Sequence, residues 1–144
     1  MENSILTKEN IVLNCHAKDK IEAIMKMGEQ LIKTNCISEE YIEGMLEREK
    51  NISTYIGNNI AIPHGEFGYS KYIKKSSLGI MVYPDGVDWG NGIAKVVIGI
   101  ASKNDDHMEI LANIAMIVSE QSEVDKIIES SEDYILDLFT KSFE

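Results

Sequence analysis

Residues 94–102, AKVVIGIAS, are apolar almost throughout, and this run constrains the fold more than any other part of the chain. A strand with apolar side chains on both faces is typical of the centre of a sheet that is covered on both sides. Shorter apolar segments at 10–14, 59–63 and 78–84 predict further strands. Turn-forming residues fill 84–92, PDGVDWGNG, so we expect a loop there.

Two amphipathic helices are predicted in the first half of the chain. Residues 19–35 and 38–50 carry apolar side chains at helical spacing, and Ser38 is a candidate N-cap of the second helix. The side chains expected to face the core are Ile21, Ile24, Met25, Gly28, Leu31, Ile32, Tyr41, Ile42, Met45 and Leu46.

Three more helices are predicted after the central apolar run. The first has Asn104 and Asp105 as candidate N-caps, and its expected core residues are Leu111, Ile114, Ala115 and Val118. Shorter helical patterns cover 122–130 and 131–143. Because helices alternate with strands, we expect an α/β fold, a single domain over residues 1–144, with a sheet packed between helices.

The charge of the chain limits its partners. A formal net charge of −10 argues against nucleic acid and anionic membrane, because both require a basic surface. It fits a basic partner protein or a small molecule. The apolar runs are far shorter than the ~20 residues of a membrane helix, and the start of the chain lacks the layout of a signal peptide. Cys15 and Cys36 form no C-x-x-C pair, so we expect reduced thiols and a cytoplasmic protein.

His64 stands between Pro63 and Gly65, at the end of an apolar run. Proline favours an extended conformation at Ile62, and glycine lets another group approach the backbone. This arrangement predicts a strand that ends abruptly and presents an imidazole on an exposed corner, where chemistry is possible. The alternative is a hydrogen-bonded scaffold histidine.

His107 and Arg48 are the other candidates for a site. His107 lies in the first turn of the third predicted helix, where free N–H groups and the helix dipole favour an anion; the alternative is a histidine that merely caps the helix. Arg48 is the only arginine among fourteen lysine and arginine residues, and it borders the apolar face of its helix. Its planar donor fork suits phosphate, although an exposed arginine paired with Glu47 is the alternative.

Other chemistries have little support in the sequence. His64 and His107 lack the spacing of a zinc site, no G-x-S-x-G segment is present, and neither a P-loop nor G-x-G-x-x-G opens a helix. We therefore expect no metal and no cofactor. His16 has no comparable context, and we expect it at the surface.

Five segments in order carry a resemblance to a known family: MLEREK, STYIGNNIAIPHG, YPDGVDWGNG, VVIGIAS and NDDHMEILANIA. Together they resemble the mannitol-type IIA component of the bacterial phosphoenolpyruvate-dependent sugar phosphotransferase system, from about Asn10 to the C-terminal helices. The resemblance implies a stand-alone IIA protein whose mixed sheet is flanked by helices on both faces.

The resemblance also implies roles for the candidate residues. His64 would accept a phosphoryl group, and Arg48 and His107 would line the same pocket. The donor would be the histidine phosphocarrier protein, and the acceptor a cysteine of the IIB domain of a membrane sugar permease. From the chemistry we expect a hydrogen bond between one His64 nitrogen and a backbone carbonyl, which leaves the other nitrogen to attack, and we expect Gly65 to leave room for close approach.

Glu66 stands where the family often has threonine, so we expect its carboxylate to point away from His64 or transfer to be slower. The alternatives to sugar transport are a regulatory module that signals by its phosphorylation state and a scaffold domain with inert histidines. Phosphorylation followed by transfer to a mannitol IIB domain distinguishes them.

Overall fold

The computed structural model describes residues 5–103 and 107–142. Within these residues one sheet of five strands has the order β1-β4-β5-β3-β2. The strands are β1 (Ile11–Val12), β2 (Tyr55–Gly57), β3 (Ile60–Ala61), β4 (Ser77–Asp88) and β5 (Ile93–Ala101). β5 pairs antiparallel with β4 and parallel with β3, whereas β1 is parallel to β4 and β2 is antiparallel to β3. The sheet is therefore mixed.

In the part of the chain that the structure describes, five α-helices cover the two faces of this sheet. They are α1 (Lys20–Lys33), α2 (Glu40–Asn51), α3 (His107–Ile117), α4 (Gln121–Glu129) and α5 (Glu132–Ser142). Short 3-10 helices cover Lys8–Asn10 and Phe67–Tyr72. Side chains of α1 and α2 form one core with one face of the sheet, and those of α3, α4 and α5 form a second core with the other. The predicted fold class, an α/β fold with a mixed sheet between helices, is confirmed.

The central run behaves as its composition predicts. Ala94, Val97 and Ala101 of β5 belong to the core beneath α1 and α2, whereas Val96 and Ile98 belong to the opposite core. Both faces of the strand are thus buried. Because its side chains are held in two cores, β5 fixes the positions of β3 and β4, which pair with it.

The face of α1 differs from the prediction. Ile21 and Met25, which we expected in the core, are 44% and 42% exposed, whereas Met27 is fully buried. The reason lies in the sheet: Gly79 and Gly99 are cross-strand partners, and a Cβ on Gly99 would lie 2.4 Å from Met27 Cγ. The two glycines leave room for the Met27 side chain, so the face of α1 that carries Met27 packs against the sheet.

The starts of two helices also differ from expectation or lie outside the described residues. Ser38 is not the N-cap of α2, because Glu39 holds that place without a side-chain bond. The Ser38 N–H donates to the Tyr72 carbonyl instead, beside the bridge between Ile37 and Ile73. Asn104 and Asp105, the candidate N-caps of the third helix, lie outside the described residues. On α3 itself Ala115 is exposed rather than buried.

The loop predicted at 84–92 is shorter in the structure. β4 continues through Asp88, with an irregularity between Val82 and Val87, and the turn closes between Trp89 N–H and the Gly92 carbonyl at 2.8 Å. β2 was not predicted. It is joined to β3 by Asn58 and Asn59, which both have positive φ (53° and 67°), as a two-residue hairpin turn of type I′ requires.

Three further expectations concern membrane-spanning helices, the two thiols and His16. No helix in the described residues is both long and apolar enough to cross a bilayer. Cys15 and Cys36 are buried free thiols, as predicted. His16 lies at the surface, also as predicted.

Candidate functional site

The three residues that the sequence singled out lie around one cleft. The cleft encloses about 650 Å³ and is lined by His64, His107 and Arg48 together with Tyr41, Gly65, Glu66, Ser70, Ile73, Ser102, Lys103, Met108 and Leu111. Three parts of the chain form its walls: α2, the segment that follows β3, and the end of β5 with the start of α3. The predicted convergence of Arg48, His64 and His107, which are 16 to 59 positions apart in the sequence, is therefore found in the fold.

His64 lies in the wall of the cleft and is only 7% exposed. The expectation of an imidazole on an exposed corner is wrong. The chain does not turn away at Pro63, because the Pro63 carbonyl accepts the Ile100 N–H at 3.0 Å and His64 forms a parallel bridge with Ile100. His64 thus continues the pairing of β3 along the buried strand β5.

The His64 ring is held in one tautomer. Its Nδ1 lies 2.8 Å from the Ile62 carbonyl oxygen. A carbonyl oxygen only accepts, so Nδ1 carries the proton and Nε2 keeps its lone pair. The expectation of a nitrogen held by a backbone carbonyl is confirmed, and Nε2 is left as the nucleophilic atom.

The surroundings of His64 favour its neutral form. Burial is the largest cause that lowers the pKa of the ring from its ordinary value, and the charges of His107 and Arg48 act in the same direction. The bond to the Ile62 carbonyl and the Glu49 carboxylate oppose this shift without cancelling it. A neutral imidazole is the form that can attack phosphorus.

His107 is the first residue of α3 and is half-buried. The centroid of its ring lies 5.0 Å from that of His64, and the two ring planes are inclined by 57°. The two imidazoles therefore face the same part of the cleft. A phosphoryl group on His64 would lie within reach of His107.

Arg48 lies in the last turn of α2 and is half-buried. Its Nη1 donates to the Ile52 carbonyl at 2.7 Å, while Glu47 pairs instead with Lys50 at 3.8 Å. The guanidinium is thus anchored at the helix end and lines the cleft, rather than forming the surface pair with Glu47.

Lys103 is a second cation of the cleft, and sequence reasoning missed it. Its Nζ donates to the Lys74 carbonyl at 3.3 Å, and its N–H donates to the Ser76 hydroxyl at 2.9 Å. The available signal was its position, two residues after the end of a buried strand. Charged residues at strand ends are common, so the sequence alone did not distinguish it.

Tyr41 occupies the space beside Gly65. The Gly65 N–H donates to its hydroxyl at 2.8 Å, and the hydroxyl donates to the Ile100 carbonyl at 3.1 Å. Burial raises the pKa of this hydroxyl to about 12, so it remains protonated. A Cβ on Gly65 would lie 2.4 Å from Tyr41 Cε1. The room at Gly65 therefore serves the tyrosine ring, not the approach of a reacting group as we expected.

Glu49 is a buried carboxylate behind Arg48, and it too was missed. It is 4% exposed and accepts hydrogen bonds from Thr54 N–H at 3.1 Å, Thr54 Oγ1 at 2.6 Å and Trp89 Nε1 at 3.0 Å, with Lys20 Nζ at 3.5 Å. These bonds join the end of α2 to the start of β2 and to the β4–β5 turn. They fix the segment whose Ile52 carbonyl holds Arg48.

The carboxylate of Glu66 has its own partner. It accepts a hydrogen bond from the Asn51 side chain, and the Glu66 N–H donates to the Gly44 carbonyl at 3.0 Å. Both contacts are with α2. Glu66 still lines the cleft, so its effect on transfer stays a prediction.

The lowered pKa of His64 has a measurable consequence. An NMR titration of its ring should give a midpoint below 6.5. The unfolded chain, with an ordinary histidine, then binds more protons than the folded chain between about 6.5 and that midpoint. The free energy of unfolding should therefore be unaffected by this group above about pH 6.5 and fall as the pH drops below it. A midpoint at or above 6.5 would contradict the burial argument, and His64→Gln should remove this part of the stability profile.

Comparison with known proteins agrees with the fold. The family model described as "Phosphoenolpyruvate-dependent sugar phosphotransferase system, EIIA 2" matches residues 4–142. The mannitol-specific phosphotransferase enzyme IIA component of Geobacillus stearothermophilus is 44% identical over 143 residues, covering 98% of this chain and 99% of that protein.

Two solved structures are also similar. The crystal structure of IIA mannitol from Escherichia coli has a TM-score of 0.86 at 36% identity and covers 92% of this chain and 97% of that one. The complex of enzyme IIAMTL and phosphorylated enzyme IIBMTL from Escherichia coli has a TM-score of 0.85 at 36% identity, with 91% and 94% covered. Both lie well within the range in which the whole architecture is shared.

Proposed function

Because the chain belongs to the EIIA 2 family of the phosphoenolpyruvate-dependent sugar phosphotransferase system, we propose that it carries a phosphoryl group on Nε2 of His64. The resemblance stated from the sequence is confirmed, and the chain is a phosphotransferase component. The observation that supports His64 as the carrier is its ring geometry: Nδ1 is held by the Ile62 carbonyl at 2.8 Å, which leaves Nε2 unprotonated in a cationic cleft.

The transfer needs no group outside the cleft. The lone pair of His64 Nε2 attacks phosphorus, and the new P–N bond forms as the donor's P–N bond breaks. The proton stays on Nδ1, which donates it in a hydrogen bond to the Ile62 carbonyl throughout. Charge spreads over the three equatorial phosphoryl oxygens during transfer, so positioning and electrostatics dominate. Arg48 and His107 supply donors to these oxygens, and Lys103 adds positive charge at the same opening.

The partners follow from the family and its relatives. The donor is the histidine phosphocarrier protein, and a net charge of −10 suits a basic partner. The acceptor is a cysteine of a mannitol IIB domain, since a similar protein is named as mannitol-specific and another is seen with phosphorylated IIBMTL. The chain then acts in the cytoplasm, as a single IIA domain over residues 1–144, in the uptake and phosphorylation of mannitol.

The test is a reconstituted phosphoryl relay. The protein is incubated with phosphoenolpyruvate, the first general enzyme of the system and the phosphocarrier protein, and then with purified mannitol and fructose IIB domains. We expect an acid-labile, base-stable adduct on wild type, none on His64→Ala, and faster onward transfer to the mannitol IIB domain.

Three outcomes would contradict the proposal. A normal yield of adduct on a folded His64→Ala protein would overturn the site. Faster transfer to the fructose IIB domain would contradict the assignment of mannitol as the sugar. Phosphorylation with transfer to neither IIB domain would favour the regulatory alternative. Circular dichroism of His64→Ala provides the control for its fold.

Arg48→Lys tests whether the guanidinium fork acts on the phosphoryl group. The substitution keeps the charge but loses the planar pair of donors, and we expect transfer to slow by about one to two orders of magnitude. Single-turnover kinetics with phosphorylated donor measures this. Lys50→Ala is the control, because Lys50 is two positions away on the same helix and forms an ion pair with Glu47 at 3.8 Å. Equal rates for Arg48→Lys and Lys50→Ala would show that Arg48 does not contribute.

A further inference from the structure

The backbone around His64 departs from a regular parallel ladder at one point. In such a ladder Ile100, the partner of His64, would donate its N–H to the carbonyl of Pro63 and accept the N–H of Gly65 at its own carbonyl. The first bond is present, since the Ile100 N–H donates to the Pro63 carbonyl at 3.0 Å. In place of the second, the Tyr41 hydroxyl bonds both groups: it accepts the Gly65 N–H at 2.8 Å and donates to the Ile100 carbonyl at 3.1 Å.

We propose that Tyr41 is a positioning residue for phosphoryl transfer, whose hydroxyl, inserted between Gly65 and Ile100, sets the backbone from which the His64 ring projects. This rests on the proposed function, in which His64 carries the phosphoryl group. Tyr41 acts through His64: its hydroxyl bonds the Gly65 N–H, which belongs to the peptide next to His64, and the Ile100 carbonyl of β5, rather than the reacting nitrogen.

The contacts of Tyr41 explain how one hydroxyl can hold this geometry. Tyr41 is 3% exposed in the first turn of α2, a helix fixed to the sheet by Met45 and the buried Glu49. Its ring lies against Gly65 so closely that a Cβ there would be 2.4 Å from Cε1. The ring thus limits the position of Gly65. Because the hydroxyl lies between the Gly65 N–H and the Ile100 carbonyl, two hydrogen bonds separate these groups where a ladder would have one, and the Gly65 peptide lies further from β5.

This spacing determines the direction of the imidazole. On its N-terminal side His64 is tied directly to β5 through Pro63, and on its C-terminal side it is tied through Tyr41. The Glu66 N–H then bonds the Gly44 carbonyl of α2 at 3.0 Å. The chain therefore leaves β5 toward α2 between His64 and Glu66, and the ring stays 5.0 Å from that of His107.

Tyr41→Phe removes the hydroxyl and keeps the ring that fills the space beside Gly65. The Gly65 N–H and the Ile100 carbonyl then lose their shared partner, and the peptide shifts. Since a misplacement of about 1 Å can reduce a rate about 100-fold, we expect kcat for phosphorylation of His64 to fall about 10-fold or more. KM for the phosphorylated donor should stay within about 2-fold, because Tyr41 is buried and its substitution leaves the exposed side chains unchanged.

Tyr83→Phe is the matched control. Tyr83 is 1% exposed in the same core, and its hydroxyl has no hydrogen-bond partner within the described part of the chain. Loss of that hydroxyl should leave kcat and KM as in wild type. The ¹⁵N signals of the His64 ring provide a readout that stability alone does not move: we expect them to shift in Tyr41→Phe and to stay unchanged in Tyr83→Phe.

Gly65→Ala is the second variant. It keeps every hydrogen-bonding group but forces the Tyr41 ring away from the backbone, so the same fall in kcat at unchanged KM is expected. A folded Gly65→Ala with wild-type kcat would overturn the proposal even if Tyr41→Phe failed to fold. Wild-type kcat and unshifted His64 signals in folded Tyr41→Phe would also overturn it, with the proposed function intact. Failure of wild type to be phosphorylated on His64 would overturn both.

Discussion

The parallel pairing of residues 59–64 with β5 is the constraint on which the rest of the site depends. The Asn59 carbonyl accepts the N–H groups of Lys95 and Val96, and the Pro63 carbonyl accepts that of Ile100. Because β5 is buried on both faces, it cannot shift without disturbing two cores. The pairing therefore transfers the rigidity of the sheet centre to His64. Burial by the same pairing keeps the imidazole neutral, and the chain geometry places the Ile62 carbonyl where it holds Nδ1.

The opposite wall of the cleft is fixed by a buried charge rather than by a strand. Glu49 receives hydrogen bonds from Thr54 and Trp89 and lies 3.5 Å from Lys20, so three parts of the chain meet at one carboxylate. A buried carboxylate is costly unless it is paired and hydrogen-bonded, and this one is both. The result is a rigid end of α2 from which Arg48 faces the cleft. Two independent devices, a buried strand and a buried carboxylate, thus hold the nucleophile and its cationic neighbour.

Local patterns allowed part of this to be predicted. Short stretches of sequence contain the apolar run of β5, the helical spacing of apolar residues and the setting of His64 between proline and glycine. The family resemblance then assigned His64, Arg48 and His107 to one pocket. The burial of His64 and the role of the Tyr41 hydroxyl depend on partners 24 to 59 positions away. No periodicity encodes such pairings. The exposure of Ile21 and Met25 is likewise not encoded in a local pattern. It follows from the packing of Met27 into the space beside Gly79 and Gly99 of the sheet.

Nε2 of His64 is expected to receive the phosphoryl group while Nδ1 keeps its proton and donates it in a hydrogen bond to the Ile62 carbonyl. Phosphorylated protein labelled with ¹⁵N-histidine allows a direct measurement, the scalar coupling between ³¹P and the ring nitrogens. The account predicts a coupling to Nε2 of His64, with the Nδ1 proton still present and protected from exchange. A coupling to Nδ1 of His64, or to a nitrogen of His107 or His16, would contradict it.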